Sequence, residues 1–409
     1  MNKCEIIIFI LLIVLQGFSI PVGTSFGIPI LVIFLIVYCI KNLFKENYSI
    51  KFLSIWLIII YIMIASCIIN NNYNFIRILR NNMLIFVGFY TFIFIKKIYS
   101  KNMEKYFWRI FFIIISILCV YGVYQYIAPF FGTPFFLNIF YNNPSYSSHK
   151  DLYGIYGGWV DKNRIYVTFF EPSVWAIFLD IIFVNLISNK YIDSRIKIYV
   201  GLLIILNIYL TYSRSGWAIL IYFGILYLIM TLILRIKELK FIYPVLKVIV
   251  IFMPFINMIG MYLANIYIFD DLSSKGRTSS AIYYFTDFFK GFTNIIFGYG
   301  AGAISQNYSK KLWDLYYVEP FAHNGYVEIM YEYGLIIFLL LIYYCILKLS
   351  KKISNKKDSL IVVILFSIIN TFGTMIYVES ILSMLVIFYL YYYYNSKEEN
   401  STNMKPKNL

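Results

Sequence analysis

The sequence predicts an all-α polytopic membrane protein with about twelve transmembrane helices. Of the 409 residues, 61% are hydrophobic and 13% are charged, and long apolar runs recur from one end of the chain to the other. A spanning helix needs roughly 20 mostly apolar residues, and in lipid its backbone groups must bond to one another. A transmembrane barrel would instead show alternating segments of about 10 residues. The composition therefore favours a bundle of membrane helices.

The predicted spans follow the apolar runs of the chain, at residues 5–20, 26–40, 52–69, 83–95, 107–128, 173–188, 196–212, 215–234, 246–268, 325–347, 359–377 and 379–394. A signal peptide is the alternative for the first run, because Lys3 precedes it. Against this, no small-residue cleavage site follows, and Pro21 leads into the second run. Residues 1–394 are thus predicted to form a single transmembrane domain, and the polar residues 395–409 a disordered cytoplasmic tail.

The lysines and arginines predict the orientation of the spans. Most of them lie in alternate short loops, and short loops rich in positive charge stay in the cytoplasm. Both termini are therefore predicted to be cytoplasmic. The net charge of +15 is then a topology signal and a means of meeting anionic lipid heads, so nucleic-acid binding is not needed to explain it. The two long connections, residues 129–172 and 269–324, fall on the outer side, and long loops often carry function.

Cysteine and histidine are too sparse and too scattered to predict a disulfide framework or a metal site. The five cysteines lie in or beside apolar runs, and the two histidines are His149 and His323. We therefore expect neither a metal ion nor another cofactor.

Two polar motifs lie close to the sixth, seventh and eighth spans. The segment Arg164–Pro172 closes the first long loop, and Pro172 suits the first turn of a helix. Arg164 and Glu171 in this segment either contact a substrate or serve as an interfacial arginine and a helix-entry glutamate. The second motif, Thr211–Trp217, is a tight outer turn in which Arg214 either binds an anion with its neighbouring serines or simply extends to the interface.

A third motif, Lys275–Ser280, opens the polar part of the second long loop. Arg277, the backbone amides near Gly276 and three hydroxyl groups together suit a phosphate, because the guanidinium offers a fixed fork of donors. An ordinary solvated loop is the alternative. The aromatic stretch Ile282–Phe289 then predicts a helix that lies on the membrane surface.

The fourth motif begins with glycines and ends with a histidine. Gly298, Gly300 and Gly302 permit a sharp turn or a close approach of the backbone to a ligand, and their spacing does not match a dinucleotide-binding fingerprint. His323 is expected at the start of the next helix, whose positive end favours a neutral imidazole that can accept a proton. Glu328 and Glu332, on one face of that helix, either orient the histidine or bond loop groups.

These motifs, in this order, resemble the O-antigen polymerase and ligase family of integral membrane glycosyltransferases. The resemblance rests on Ser213-Arg-Ser-Gly216 between two spans, on Arg277 some way before the glycine run, and on the His-Asn-x-Tyr-x-Glu pattern from His323 to Glu328. The segment Arg164–Pro172 resembles a less specific fourth element. The N-terminal third matches only as hydrophobic spans.

The resemblance implies a GT-C-like glycosyltransferase bundle in the bacterial plasma (inner) membrane that moves a glycan from undecaprenyl pyrophosphate to a sugar hydroxyl, without a metal. In this interpretation the catalytic residues are His323, Arg277 and Arg214. The substrate-binding residues are Arg164, Glu171, Gly300, Asn324 and Glu328. Donor and acceptor are lipid-linked glycans, and chain-length regulator and flippase proteins are the implied partners.

Three classes of function remain: a glycan-transferring enzyme, a flippase, and a structural or sensor membrane protein. A polymerase extends a lipid-linked repeat unit of an O-antigen or capsule, whereas a ligase attaches finished polymer to lipid A core; the two substantial outer loops, rich in Tyr, Phe and Asn, favour the polymerase. A flippase for lipid-linked oligosaccharide would place ionisable groups near the bilayer midplane. The predicted spans carry few such groups, among them Asp180 and Glu379. A structural or sensor membrane protein is the third alternative.

Overall fold

The computed structural model of the protein describes residues 2–15, 19–21, 27–42, 60–61, 64–65, 67–69, 75–131, 164–169, 171–236, 241–267, 272–319, 322–353, 355–371 and 379–403. Helices make up most of this part of the chain. In chain order they are α1 Lys3–Val14, α2 Ile30–Asn42, α3 Phe75–Ser100, α4 Glu104–Ile127, α5 Pro172–Ser188, α6 Ser194–Leu210, α7 Arg214–Arg235, α8 Ile242–Ile251, α9 Met253–Tyr267, α10 Leu272–Phe288, α11 Phe292–Phe297, α12 Ala303–Asn307, α13 Lys310–Tyr316, α14 Gly325–Leu341, α15 Lys356–Thr371 and α16 Glu379–Asn403.

Shorter elements complete the described structure. A 3-10 turn, Ala128–Phe131, follows α4, and a π-helical segment, Ile342–Lys348, continues α14 into the helical turn Leu349–Lys351. Strands β1 Ser19–Pro21 and β2 Gly27–Pro29 pair antiparallel between the first two helices. These strands are a small departure from the all-α prediction, and they join two consecutive apolar helices by a hairpin-like connection.

The apolar helices agree with the prediction of a helical membrane protein. By length and composition, three stretches of the described chain can each cross a membrane: Asn82–Ser100, Glu104–Phe131 and Arg214–Arg235. The pair α8 and α9 adds a fourth if its 64° bend is one broken span, and α5 is apolar but shorter. The predicted span at 52–69 lies largely outside the described residues, and the count of twelve remains a prediction.

The described chain divides into two compact units, each assembled from separate segments. Unit 1 comprises Met1–Phe44, Phe86–Tyr222 and Glu379–Leu390, and unit 2 comprises Lys45–Ile85, Phe223–Val378 and Tyr391–Leu409. In unit 1, α5 is buried over nearly its whole length, and Trp175 and Phe178 pack against Phe169 from the preceding segment. In unit 2, the rings of Tyr326 and Phe338 meet Phe255 of α9.

The last described helix extends further than the sequence predicts. Helix α16 continues to Asn403, beyond residue 395 where a disordered tail was expected to begin. Lysine and glutamate at positions 397–399 are good helix formers, so the polar sequence continues the turn already established by the apolar residues before it.

A backbone crossing in unit 2 fixes the loop that leads to His323. Within α14, Gly334 has φ 80° and ψ 173°, which interrupts the helix. A residue with these angles breaks the regular ladder of helical hydrogen bonds, so carbonyls on its N-terminal side need other donors. The backbone amide of Tyr299 donates to the carbonyl of Tyr331 (2.7 Å), and the amide of Gly300 donates to that of Glu332 (3.0 Å). The glycine run therefore binds the interrupted helix directly.

The crossing leaves no space for a side chain at Gly298 or at Gly334. A Cβ added to Gly334 would lie 2.1 Å from the carbonyl oxygen of Ile296, and one added to Gly298 would lie 2.5 Å from the carbonyl carbon of Glu332. Gly298 also has a positive φ of 72°. Glycine is required at both positions, because neither the distance nor the backbone angle accommodates an L side chain.

We expect Gly334→Ala and Gly298→Ala each to lower the stability of the full-length protein by at least about 2 kcal/mol, since a left-handed residue and a backbone clash add together. Thermal unfolding in detergent measures the effect. Gly224→Ala and Gly260→Ala are matched controls, because nothing lies within 4 Å of a Cβ at either helical position. Equal melting temperatures for Gly334→Ala and Gly224→Ala would contradict the crossing.

Candidate functional site

His323 is paired with an acidic residue that precedes it in the same loop. Its Nε2 lies 2.5 Å from Oε2 of Glu319, and both side chains are partly exposed. His323 has a positive φ of 52°, and it stands two residues before α14 begins at Gly325. The histidine is therefore close to the N-terminus of α14, as the sequence predicts, but its carboxylate partner comes from the loop.

Helix α10 holds Glu319 in place through two hydroxyl groups. The backbone amide of Glu319 donates to Oγ of Ser280 (2.7 Å), and the hydroxyl of Tyr284 donates to the carbonyl oxygen of Glu319 (2.9 Å). Both residues are fully buried. Arg277, Ser280 and Tyr284 lie three and four residues apart, so they share one face of α10. One face of α10 thus carries Arg277 and the two hydroxyl groups that bond Glu319.

The electrostatics of Glu319 reflect this arrangement. Burial raises the pKa of its carboxyl group, but the hydrogen bond and charge of His323, together with the charge of Arg277, outweigh that effect and lower the pKa below its ordinary value. Glu319 is therefore ionised at neutral pH. An ionised carboxylate only accepts hydrogen bonds, so the proton between the two residues belongs to Nε2 of His323.

The far end of α10 is fixed to α14 and to the glycine run by Asp287. Its carboxylate accepts a hydrogen bond from the hydroxyl of Tyr331 (2.9 Å) and pairs with Lys290 (2.9 Å), and its carbonyl accepts one from the hydroxyl of Tyr299 (3.0 Å). The rings of Tyr299 and Tyr331 are stacked with centroids 4.5 Å apart. Helix α10 is consequently held at its C-terminal end as well as at its middle.

The structure corrects the expected phosphate loop at Lys275–Ser280. These residues lie inside α10, where the backbone amides near Gly276 belong to the helix. Two of the hydroxyls bond backbone carbonyls within the helix: Ser280 donates to Gly276 (2.6 Å) and Thr278 to Lys275 (3.2 Å). Arg277 is exposed on this helix. A single guanidinium on a helix face replaces the predicted cradle.

Several residues predicted to bind substrate support the loop in the structure. Asn324 caps α14, with its side-chain oxygen accepting from the amides of Tyr326 and Val327, and its side-chain nitrogen donates to the carbonyl of Pro254 (2.9 Å). Gly300 is buried in the backbone crossing. Both residues thus have structural contacts, and their substrate-binding role stays a prediction.

The two glutamates of α14 are buried behind the loop. Glu332 accepts a hydrogen bond from the amide of Gly302 (2.9 Å), which is the loop-bonding role left open by the sequence. Glu328 is 3% exposed. The carboxylate of Glu319 contacts His323, a pairing that the sequence analysis did not propose.

Unit 1 contains a second cluster of candidate residues, in which Arg164 and Arg214 lie near Thr211. Nε of Arg164 donates to the carbonyl of Thr211 (2.8 Å). The side chain of Gln125 accepts from the amides of Tyr166 and Val167 and donates back to the carbonyl of Val167. Val167 has a φ of 54°, which is rare for a β-branched residue. Gln125 therefore fixes a strained segment that carries Arg164 to the turn before α7.

The turn that presents Arg214 depends on two serines and a glycine. Oγ of Ser213 lies 2.8 Å from Oγ of Ser215 and accepts from the amide of Gly216 (3.2 Å). A Cβ on Gly216 would lie 2.7 Å from Cβ of Ala176, so the glycine lets α7 approach α5. Arg214 is exposed as the first residue of α7. Glu171 is half-buried at the N-terminus of α5, where its carbonyl accepts from Val174 and Trp175.

Residues 132–163 of the first long loop, including His149, lie outside the described residues. Within the part of the chain that is described, no group of three or more His, Cys, Asp or Glu side chains is placed to hold a metal ion.

The apolar helices indicate a helical membrane protein. Between them lie two polar clusters, one around His323 and one around Thr211. A sequence family described as O-antigen ligase matches residues 199–342, a segment that contains Arg214, Arg277 and His323. The match confirms the predicted resemblance to the O-antigen polymerase and ligase family in this region. No curated protein and no solved structure is significantly similar to the chain.

Glu319, the partner of His323, is a residue that the sequence analysis missed. A signal was present, because Glu319 and His323 are separated by only four positions in the sequence. The sequence analysis chose Glu328 and Glu332 instead, because they share one face of the helix that follows His323.

We expect Glu319→Gln to destabilise the full-length protein at neutral pH by about 1–3 kcal/mol, because a hydrogen bond to a charged group is lost. The pKa of Glu319 is lowered in the folded protein. Its contribution is therefore complete above the unfolded value of about 4.3 and disappears as the pH falls through the folded value. The gap between wild-type and variant melting temperatures should narrow in acid.

The matched control is Asp314→Asn, which neutralises an exposed carboxylate in the same loop. We expect no pH-dependent change in melting temperature from it. A gap between wild type and Glu319→Gln that stays constant from neutral pH to about pH 3 would show that the carboxylate charge does not contribute.

Proposed function

We propose that the protein is a polysaccharide polymerase of the bacterial plasma membrane, which transfers a glycan from undecaprenyl pyrophosphate to a lipid-linked repeat unit on the outer face. The observation that carries the proposal is the Glu319–His323 pair beside Arg277. A histidine oriented by a carboxylate suits proton removal from a sugar hydroxyl, and a neighbouring guanidinium suits a phosphate. The O-antigen ligase match covers this pair and Arg277.

In the proposed reaction, His323 is the general base for the acceptor. The protonated Nε2 of His323 donates a hydrogen bond to Glu319. Nδ1 is therefore the nitrogen that takes the proton of the attacking hydroxyl. The acceptor oxygen forms a bond to the anomeric carbon of the donor glycan. The bond between that carbon and the pyrophosphate oxygen breaks, and undecaprenyl pyrophosphate leaves with the electron pair. Glu319 is a positioning residue in this scheme.

The arginines act on the leaving group in the proposal. Departure of a lipid pyrophosphate develops negative charge, which fixed guanidinium groups stabilise in a partly dry site. Arg277, whose charge acts on Glu319, takes this role. The sequence motifs assign the same role to Arg214, with Arg164 as a weaker third. The reaction needs no metal in this scheme, because guanidinium groups supply the positive charge.

A ligase that transfers finished polymer to lipid A core is the second candidate, favoured by the description of the matching family. The two activities share the donor chemistry and differ in the acceptor. The large share of aromatic residues in the outer loops, which can stack on sugars of two glycan chains, supports the polymerase.

We expect His323→Ala to lower the transfer rate by about 10²- to 10⁴-fold, as removal of a general base does. Arg277→Ala and Arg214→Ala should each lower it by about 10²- to 10³-fold. Glu319→Gln should lower kcat by at least about 10-fold with little change in KM, because the amide can also accept or donate and so no longer fixes the tautomer. The measurement is glycan transfer by full-length protein in vesicles, together with surface polysaccharide in a polymerase-deficient host.

Matched controls are His149→Ala, the other histidine of the chain, and Lys311→Ala, an exposed cation of the same loop. Both should retain activity. Hosts carrying the inactive variants should accumulate single repeat units on the lipid carrier if the protein is a polymerase, and unattached long polymer if it is a ligase. Full-length surface polysaccharide from a normally inserted His323→Ala protein would refute the catalytic assignment.

A further inference from the structure

A cavity of about 390 Å³ lies in unit 2 between α8 and the chain that joins α14 to α15. Three lysines line it, Lys247, Lys351 and Lys356, and we call it the lysine pocket. The lining residues, all in the described part of the chain, include no carboxylate. The site therefore has an excess of positive charge together with space for a ligand.

Lys247 is directed to buried hydroxyls in this pocket. Its Nζ donates to Oγ of Ser350 (2.8 Å) and lies 3.5 Å from Oγ of Ser359. Both serines are buried, at 0% and 4% exposure, and both line the cavity. The ammonium group is thus held against neutral partners, and its charge is available to an anion.

The remaining wall is largely apolar. Val248, Ile251 and Leu347 line the cavity beside the lysines. A pocket with cationic groups and an apolar wall matches a ligand that has a phosphate and a hydrocarbon part. Inorganic phosphate would leave the apolar wall without a partner.

We propose that the lysine pocket binds the phosphate of an anionic phospholipid, such as phosphatidylglycerol, with the start of an acyl chain against its apolar wall. The charge distribution predicts that the lysines of this region are cytoplasmic. The cytoplasmic leaflet is rich in anionic lipid, and basic pockets between membrane helices bind such headgroups. Helix α15 begins at Lys356, so its positive end adds to the attraction.

This site is separate in role from the proposed transfer of glycan. The outer loops that carry Arg277 and His323 are predicted on the opposite side of the membrane. The lysine pocket takes a structural lipid, and its occupation is expected to stabilise the folded protein by mass action.

The test is native mass spectrometry of the full-length protein with phosphatidylglycerol and, separately, phosphatidylcholine of the same acyl chains. We expect phosphatidylglycerol to bind at least tenfold more tightly. The double variant Lys351→Gln with Lys356→Gln should weaken phosphatidylglycerol binding by about tenfold or more, because each lysine near an anionic headgroup contributes about fivefold. Both lysines are exposed, so the variant should fold.

The matched control is Lys348→Gln with Lys352→Gln, which removes the same charge from exposed lysines outside the pocket lining. It should bind like wild type. A further variant, Val248→Trp, fills the pocket from a residue that is 53% exposed and should weaken binding with no change of charge.

Equal binding of phosphatidylglycerol by wild type and the pocket double variant would overturn the proposal. Complete competition by millimolar inorganic phosphate would overturn the lipid source in favour of a free-phosphate site. Loss of binding in both double variants alike would also overturn it, because net charge would then be responsible. These outcomes do not depend on the glycan-transfer assay.

Discussion

The backbone crossing of Gly298 and Gly334 is the constraint on which the candidate site depends. A helix interrupted at a glycine must find other donors for its freed carbonyls, since the helical ladder no longer supplies them. The amides of Tyr299 and Gly300 provide them. These hydrogen bonds hold the glycine run against α14. The sequence allowed the glycine run either a sharp turn or a close approach to a ligand, and in the structure its backbone bonds to α14.

The histidine site follows from this anchoring. With the loop held on α14 at one end and on α10 through Asp287, the chain returns to α14 along the face that carries Ser280 and Tyr284. These hydroxyls bond the backbone of Glu319, and the carboxylate of Glu319 meets His323. The hydrogen bonds from Ser280 and Tyr284 fix the backbone of Glu319, and its carboxylate stays available to contact His323. Precise placement of this kind is what an oriented base requires.

Hydropathy was sufficient to predict the helical character and the approximate positions of most helices, because a spanning helix needs a long apolar run whatever its partners. Arg214, Arg277 and His323 could be chosen as candidates for the same reason, since polar groups stand out in an apolar chain. Their contacts could not be predicted. That Ser280 supports Glu319, or that Glu332 bonds Gly302, depends on segments that meet only after folding. The kink at Gly334 could not be predicted either, because one glycine in a predicted span does not by itself indicate a break in the helix.

The central claim is that Glu319 fixes the tautomer of His323 with the proton on Nε2. Nitrogen NMR of the full-length protein with ¹⁵N-labelled histidine tests it directly, because the chain has only two histidines and His149→Ala assigns the signals. We predict a protonated Nε2 and an unprotonated Nδ1 for His323 at a pH where the ring is neutral, with the preference lost in Glu319→Gln. A neutral His323 that carries its proton on Nδ1 would contradict the account.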